Sequence, residues 1–239
     1  MSNVEEKRID RIGTARSTSP FMAGLESAWD CILQQVAGKL ARRGFGVSIA
    51  SSLKDAADLV MGTLLPESGA KVVAFGGSMT VLEAGLLEKL QARPELTVMQ
   101  TLIRDKNTDM DAMLELRRQA LLCDLFLCST NALTRDGELV LVDGFGNRTA
   151  AVQYGPRKVI LLVGRNKICT NMDEAVTRIK GLASPANCMR LGRKTPCVKT
   201  GYCMDCNSPD RICTYWTTVQ RSFPAGRIHV VLIDEECGF

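Results

Sequence analysis

The chain has 239 residues, 46% hydrophobic and 23% charged, a globular composition long enough to stay folded without a disulfide or metal staple. Its 30 basic and 26 acidic residues leave a net charge of +4, spread without long runs and too weak to point to nucleic acid or a membrane surface. The longest apolar runs, such as VILLVG and HVVLI, fall far short of the ~20 residues that cross a bilayer, so no membrane insertion is expected.

Residues 1–18 are polar and mixed in charge, with neither an apolar core nor a small-residue cleavage site. They predict a flexible tail rather than a secretory signal, and the protein is expected in the cytoplasm. Residues 19–239 then read as one domain. From Phe21 to Ala41, apolar residues recur at helical spacing, with Gly44 as the stop. GVSIA is a strand, and SSLKDAADLVMGTLL is a helix with Ser52 and Asp55 at capping-box spacing. The alternation continues with strand KVVAF, helix SMTVLEAGLLEKLQA, strand LTVMQ, helix DMDAMLELRRQALL and strand DLFLCS. Strands ELVLVD and KVILLVG, helix NMDEAVTRIKGLA and strand RIHVVLIDE complete the series. Apolar strands separated by helices predict an α/β fold of three layers around a mixed, mostly parallel sheet. ELVLVD has no helix before it and is expected to form a hairpin with DLFLCS through TNALTRDG. Residues 186–223 lack periodicity and read as an insertion before the last strand.

Between KVVAF and its helix stand Gly76, Gly77 and Ser78, with Thr80 just beyond. Glycines there let the backbone approach a ligand, and helix amides with a hydroxyl would meet an anion. The competing reading is a tight turn with Ser78 as a helix cap. Asn131, Asp143, Gly144, Gly146, Asn147, Arg148, Asn166 and Lys167 flank other buried strands, where open α/β sheets bind ligands, although Asp-Gly and Gly-Asn are also ordinary turn chemistry. Together with the glycine loop they predict a pocket for a small anion: phosphate, carboxylate or a CoA-like group. The one histidine, His229, lies inside a predicted strand and reads as structural.

FGGSMTVLEAGL, STNALTRDGELVLVDGFGNRTAAVQYGPRKVILLVGRNKI and NMDEAVTRI resemble the LUD domain, the lactate utilisation protein family, from about Phe21 onward. The resemblance implies a fold similar to ribose-5-phosphate isomerase, glucosamine-6-phosphate deaminase and the CoA transferases, in which the glycine loop meets phosphate or an acyl group. It also implies an association with lactate oxidation by a multi-protein, iron–sulfur-containing system, so other lactate-oxidation subunits are expected partners. No motif assigns a reaction: a histidine-assisted deaminase site is absent, no CoA-transferase nucleophile is recognisable, and Glu83, one turn past the glycine loop, reads as solvated or capping.

Half of the ten cysteines fall between Cys188 and Cys213, spaced Cys188-x8-Cys197-x5-Cys203-x2-Cys206-x6-Cys213. In a reducing compartment such clusters read as metal ligands or redox centres before disulfides. Cys197, Cys203, Cys206 and Cys213 are the candidate ligands, with Cys188 as a substitute or fifth thiol. Four thiolates suit an iron–sulfur cluster, towards which the family resemblance leans, or alternatively zinc. Lys194, Lys199 and Arg211 would offset the thiolate charge, and Tyr215 and Trp216 read as packing the loop onto the sheet. Two functions follow as expectations. One is an accessory or electron-transfer component of lactate or related organic-acid oxidation; the other is an enzyme acting on a phosphorylated or CoA-linked small molecule, with structural zinc in the loop.

Overall fold

The computed structural model describes residues 11–12, 20–101 and 109–239. Apart from Arg11–Ile12, the tail expected over 1–18 lies outside the described residues. In chain order the strands are β1 (Arg11–Ile12), β2 (Gly46–Ala50), β3 (Val72–Phe75), β4 (Thr97–Met99), β5 (Leu125–Cys128) and β6 (Ala132–Thr134). They continue with β7 (Leu139–Asp143), β8 (Lys158–Gly164), β9 (Ile168–Cys169), β10 (Tyr215–Val219) and β11 (Ile228–Ile233). The larger sheet has the order β1-β2-β11-β8-β5-β3-β4, and each of its neighbouring pairs is parallel. A smaller sheet has the order β10-β7-β6-β9.

The apolar runs become parallel strands because the larger sheet is covered on both faces. Along β8, Val159, Leu161 and Val163 point into one apolar layer, while Ile160 and Leu162 point into the other. On the first face lie α1 (Pro20–Arg42) and, later in the chain, a helix beginning at Asn147, together with the smaller sheet. Of the apolar stripe on α1, Leu33, Val36, Ala37 and Leu40 are fully buried, whereas Phe21 and Leu25 remain exposed. The second face is covered by α2 (Leu53–Leu59), α3 (Leu65–Ser68), α4 (Met79–Glu83) and α5 (Leu86–Gln91). Ser52 caps α2, its hydroxyl accepting from Asp55 N, as the spacing predicts. The helix expected over Ser78–Ala92 is interrupted: Gly85 takes φ +63, which favours glycine and separates α4 from α5. Beyond lie α6 (Met110–Gln119), the first-face helix α7 (Asn147–Gln153), and α8 (Met172–Arg178), which packs behind the smaller sheet.

The three-layer α/β architecture is as expected, but the hairpin partner is not. β7 pairs antiparallel with β6, which lies inside TNALTRDG, and not with β5. Both edges of β5 are already taken, by β3 and β8, so β7 has no edge there to join and builds the smaller sheet instead. The segment 186–223 also carries regular structure. It contains the end of α9 (Ser184–Arg190), α10 (Cys197–Thr200) and the edge strand β10, paired antiparallel with β7. Among the described residues, no helix is long and apolar enough to cross a membrane.

His229 sits on β11 opposite Gly46, where a side chain would collide with its ring, and its Nε2 lies 3.0 Å from Ser48 Oγ. Burial, aided by the charge of Lys158, lowers its pKa from 6.5 to about 4. A depressed histidine stays neutral when folded but takes up a proton when unfolded, so stability falls as pH drops from 6.5 towards 4 and is unaffected by this group above that window. Urea denaturation should show a loss of about 2 kcal/mol from this group between pH 7 and pH 5. His229→Gln should flatten that dependence, and an unchanged pH slope would refute the assignment.

Candidate functional site

β3, β5 and β8 are parallel neighbours, so their carboxyl ends reach the same edge of the sheet. Their continuations are Gly76-Gly77-Ser78, Ser129-Thr130-Asn131 and the turn Arg165–Lys167. A cavity of about 790 Å³ opens over this edge. Of the pocket residues expected from sequence, Gly77, Ser78, Asn131, Asp143, Gly144, Asn147, Arg148 and Lys167 line it. Gly76, Thr80, Gly146 and Asn166 stand behind the lining. A Cβ on Gly76 would come within 2.7 Å of Arg148 Cγ, so glycine is needed for that close approach. Gly146 has φ +83 at the start of α7, and Asn166 accepts from Cys237 N and donates to Gly238 O.

Several of these residues spend their polar atoms on folding the walls. Ser78 Oγ accepts from Val81 N at 3.3 Å, the capping role, and α4 is only five residues long, so its dipole adds little. Asp143 receives N–H bonds from Gly144, Arg148 and Thr149, holding the entrance to α7. Asn131 Oδ1 accepts from Val142 N and from Arg148 Nη2. Glu83 is exposed and accepts the Gly238 N–H at 2.8 Å, in keeping with its expected capping or solvated role.

The cationic floor is the larger finding. Arg148, 8% exposed, donates to Ser129 O, Asn131 Oδ1 and Val142 O, each at 2.8 Å, and so ties the ends of β5 and β7 together. Lys167, 3% exposed, donates to Thr80 Oγ1 at 2.8 Å and to Ser129 Oγ at 2.9 Å. Burial lowers its pKa to about 8, and the charges of Arg178 and Arg148 push the same way. Arg178 in turn donates to Asn166 O and Asn131 O, linking two of the expected loops. Arg117, 4.8 Å from the Phe145 ring centroid, and Arg190, Arg193 and Arg211 also line the cavity. Asp143 and Asp210 are its acidic lining residues, so the wall carries a clear excess of positive charge.

Arg117, Arg193, Ser129 and Thr130 were not singled out from sequence. Arg117 looks like one of two exposed arginines in a helix, and nothing local marks it as buried. Ser129-Thr130 carried a usable signal: two hydroxyls immediately after a fully apolar strand, at the end where such sheets bind ligands.

The cysteine segment forms one wall of the same cavity, through Pro209, Asp210, Arg211 and Ile212. Its five thiols lie within electrostatic reach of one another. Cys188, at the end of α9, meets Cys197 and feels Cys213, while Cys213 feels Cys203 and Cys206. Burial pushes the Cys188 thiol up to about 11 and raises that of Cys213 as well. Asp205 takes φ +46, turning its N–H onto Cys203 Sγ at 3.3 Å. Arg211 spans the loop, donating to Cys206 O at 2.6 Å and Cys213 O at 3.1 Å. The donor set therefore suits a thiophilic ion or cluster: several sulfurs in one sheltered loop, a turn aiming an N–H at sulfur, and a guanidinium nearby. Among the described residues, no three of His, Cys, Asp or Glu are already drawn together as a ready-made metal-binding group. Lys194 and Lys199 are exposed, and Tyr215 and Trp216 lie half-exposed on β10.

Comparison with known proteins adds the following. The family model of the LUD domain matches residues 33–233. No curated protein matches. A solved structure, a DUF162 family protein from Deinococcus radiodurans, is 19% identical with a TM-score of 0.43, covering 85% of this chain and 96% of its own.

Proposed function

The chain belongs to the LUD domain family, the lactate-utilisation type of protein, and from that premise we propose that it is an accessory or electron-transfer component of lactate or related organic-acid oxidation. In this reading it acts in the cytoplasm beside other subunits of that oxidation system. The cavity over β3, β5 and β8 takes a small anion, and Cys197, Cys203, Cys206 and Cys213 hold an iron–sulfur cluster, with Cys188 close enough to substitute. Such a cluster would supply one-electron chemistry next to the bound acid. The chain's own residues do the rest: Lys167 and the surrounding guanidinia attract the anion, and the wall from Pro209 to Ile212 closes the pocket against the cysteines. One observation supports the proposal, namely that the cysteine segment supplies one wall of the pocket through Pro209–Ile212.

The cavity volume favours a second reading. About 790 Å³ lies within the roughly 300–1,000 Å³ of sites that enclose drug-sized ligands. An enzyme acting on a phosphorylated or CoA-linked substrate, with structural zinc in the loop, would fill that space. Metal and sulfide analysis with a visible spectrum, on protein purified without air, separates the readings. Iron and acid-labile sulfide with a broad visible band are expected. Colourless protein carrying zinc would overturn the electron-transfer reading and favour the second, and protein carrying neither would remove the metal centre from both.

A further inference from the structure

Lys167 is bonded in an unusual way for a buried lysine. The hydroxyls it meets have other acceptors to donate to: Thr80 Oγ1 lies 3.4 Å from Cys237 O and Ser129 Oγ 3.3 Å from Thr130 O. A hydroxyl has one proton to give and two lone pairs to offer, so both oxygens act towards Lys167 as acceptors. A neutral amine satisfies them with its two N–H bonds, which leaves its lone pair as the remaining tetrahedral direction. Neither of these bonds pairs Lys167 with a carboxylate, so among the described residues no ion pair holds the ammonium form. Glu83, the acid whose charge reaches Lys167, spends its carboxylate on Gly238 N, and burial holds the neighbouring Cys237 thiol neutral, its pKa raised to about 11. Arg178 and Arg148 further disfavour a third cation beside them.

We infer that Lys167 is an amine nucleophile that captures a 2-oxo acid as an imine in this cavity. The choice of acid rests on the reading of the site as an organic-acid pocket. Nζ would attack the carbonyl carbon, forming a C–N bond while the carbonyl oxygen takes a proton. The carbinolamine would then lose that oxygen as water, with the proton from nitrogen, to leave C=N. One water is released and nothing is oxidised or reduced. Cations suppress protonation of such an amine and attract the carboxylate of the incoming acid. Arg193 lines the same cavity, its Nη1 3.7 Å from Asp210 Oδ1, and adds to the positive field that draws a carboxylate in.

The test is reductive trapping. Intact protein is incubated with pyruvate and cyanoborohydride, then analysed by intact mass and peptide mapping. The expected result is a single reduced adduct on the peptide carrying Lys167, absent from Lys167→Arg, a variant that keeps length and charge but has no free amine and whose folding is checked by thermal melting. The wild-type peptide map decides the matter even if that variant fails to fold. Adducts scattered over exposed lysines, or no adduct, would overturn the inference. Oxalate, which has two carboxylates and no ketone, is titrated alongside. Oxalate binding without trapping would remove the imine and leave the anion pocket standing, whereas loss of both would remove the pocket reading as well.

Discussion

Replacing Arg148 with alanine is expected to destabilise the protein by about 3–5 kcal/mol, a large share of the 5–15 kcal/mol that holds a typical domain together. The guanidinium serves three acceptors at once, and truncation leaves Ser129 O and Val142 O facing a hole, while Asn131 Oδ1 keeps its bond from Val142 N. Each stranded acceptor costs about 1–3 kcal/mol if water cannot reach it. Two effects keep the total below the sum. The charge no longer has to be buried, and the adjoining cavity can admit water to part of the hole. Urea unfolding with an unchanged slope would report the loss directly. A shift below about 1 kcal/mol would show that Arg148 is not the tie between β5 and β7. The same substitution removes the packing against Gly76, so ligand binding should suffer even where the protein stays folded.

Cys206→Ser should have the second large effect, on metal content rather than on the sheet. A fully ligated thiolate site contributes on the order of 10 kcal/mol of binding. Exchanging one soft ligand for a hydroxyl removes several of these, roughly a thousandfold in affinity. On the proposed reading the purified variant loses the metal that wild type carries, and residues 194–213 become sensitive to protease while thermal unfolding of the sheet moves little. The backbone change is minimal, because Arg211 bonds the Cys206 carbonyl and not its sulfur. Metal retained in Cys206→Ser but lost in Cys188→Ser would show that the ligand set draws on the Cys188–Cys197 pair instead.

How much of this was legible in the sequence differs from element to element. β2 and β8 were read residue for residue, because a strand covered on both faces must be apolar throughout and glycine or charge marks its ends. β6 and β10 were missed for the opposite reason. β6 is three residues long, and β10 is a largely exposed edge strand whose pairing with β7 is set across the whole intervening chain. Nearness in sequence suggested β5 as the partner of β7, but the decision lay with edge availability, a property of the assembled sheet. The pocket followed from a simple rule about strand ends, so most of the expected loops do line it. What local pattern could not convey is burial of charge. Arg117, Arg148 and Lys167 look like surface residues until the strands around them are placed. The packing of the cysteine segment against the pocket was equally invisible, since Pro209–Ile212 have no periodicity to orient them.

The order β2-β11-β8 has a consequence for biosynthesis. β11 leaves the ribosome after both β2 and β8, yet it is the wedge between them. Until it arrives, the nascent sheet is split into two halves, each presenting a bare apolar edge that can recruit another chain. The cysteine segment emerges before this keystone, so its thiols are exposed while the halves are still apart. Insertion of β11 then joins the halves and completes the sheet on which the pocket is built. Slow translation of β11 should therefore raise aggregation of the nascent chain.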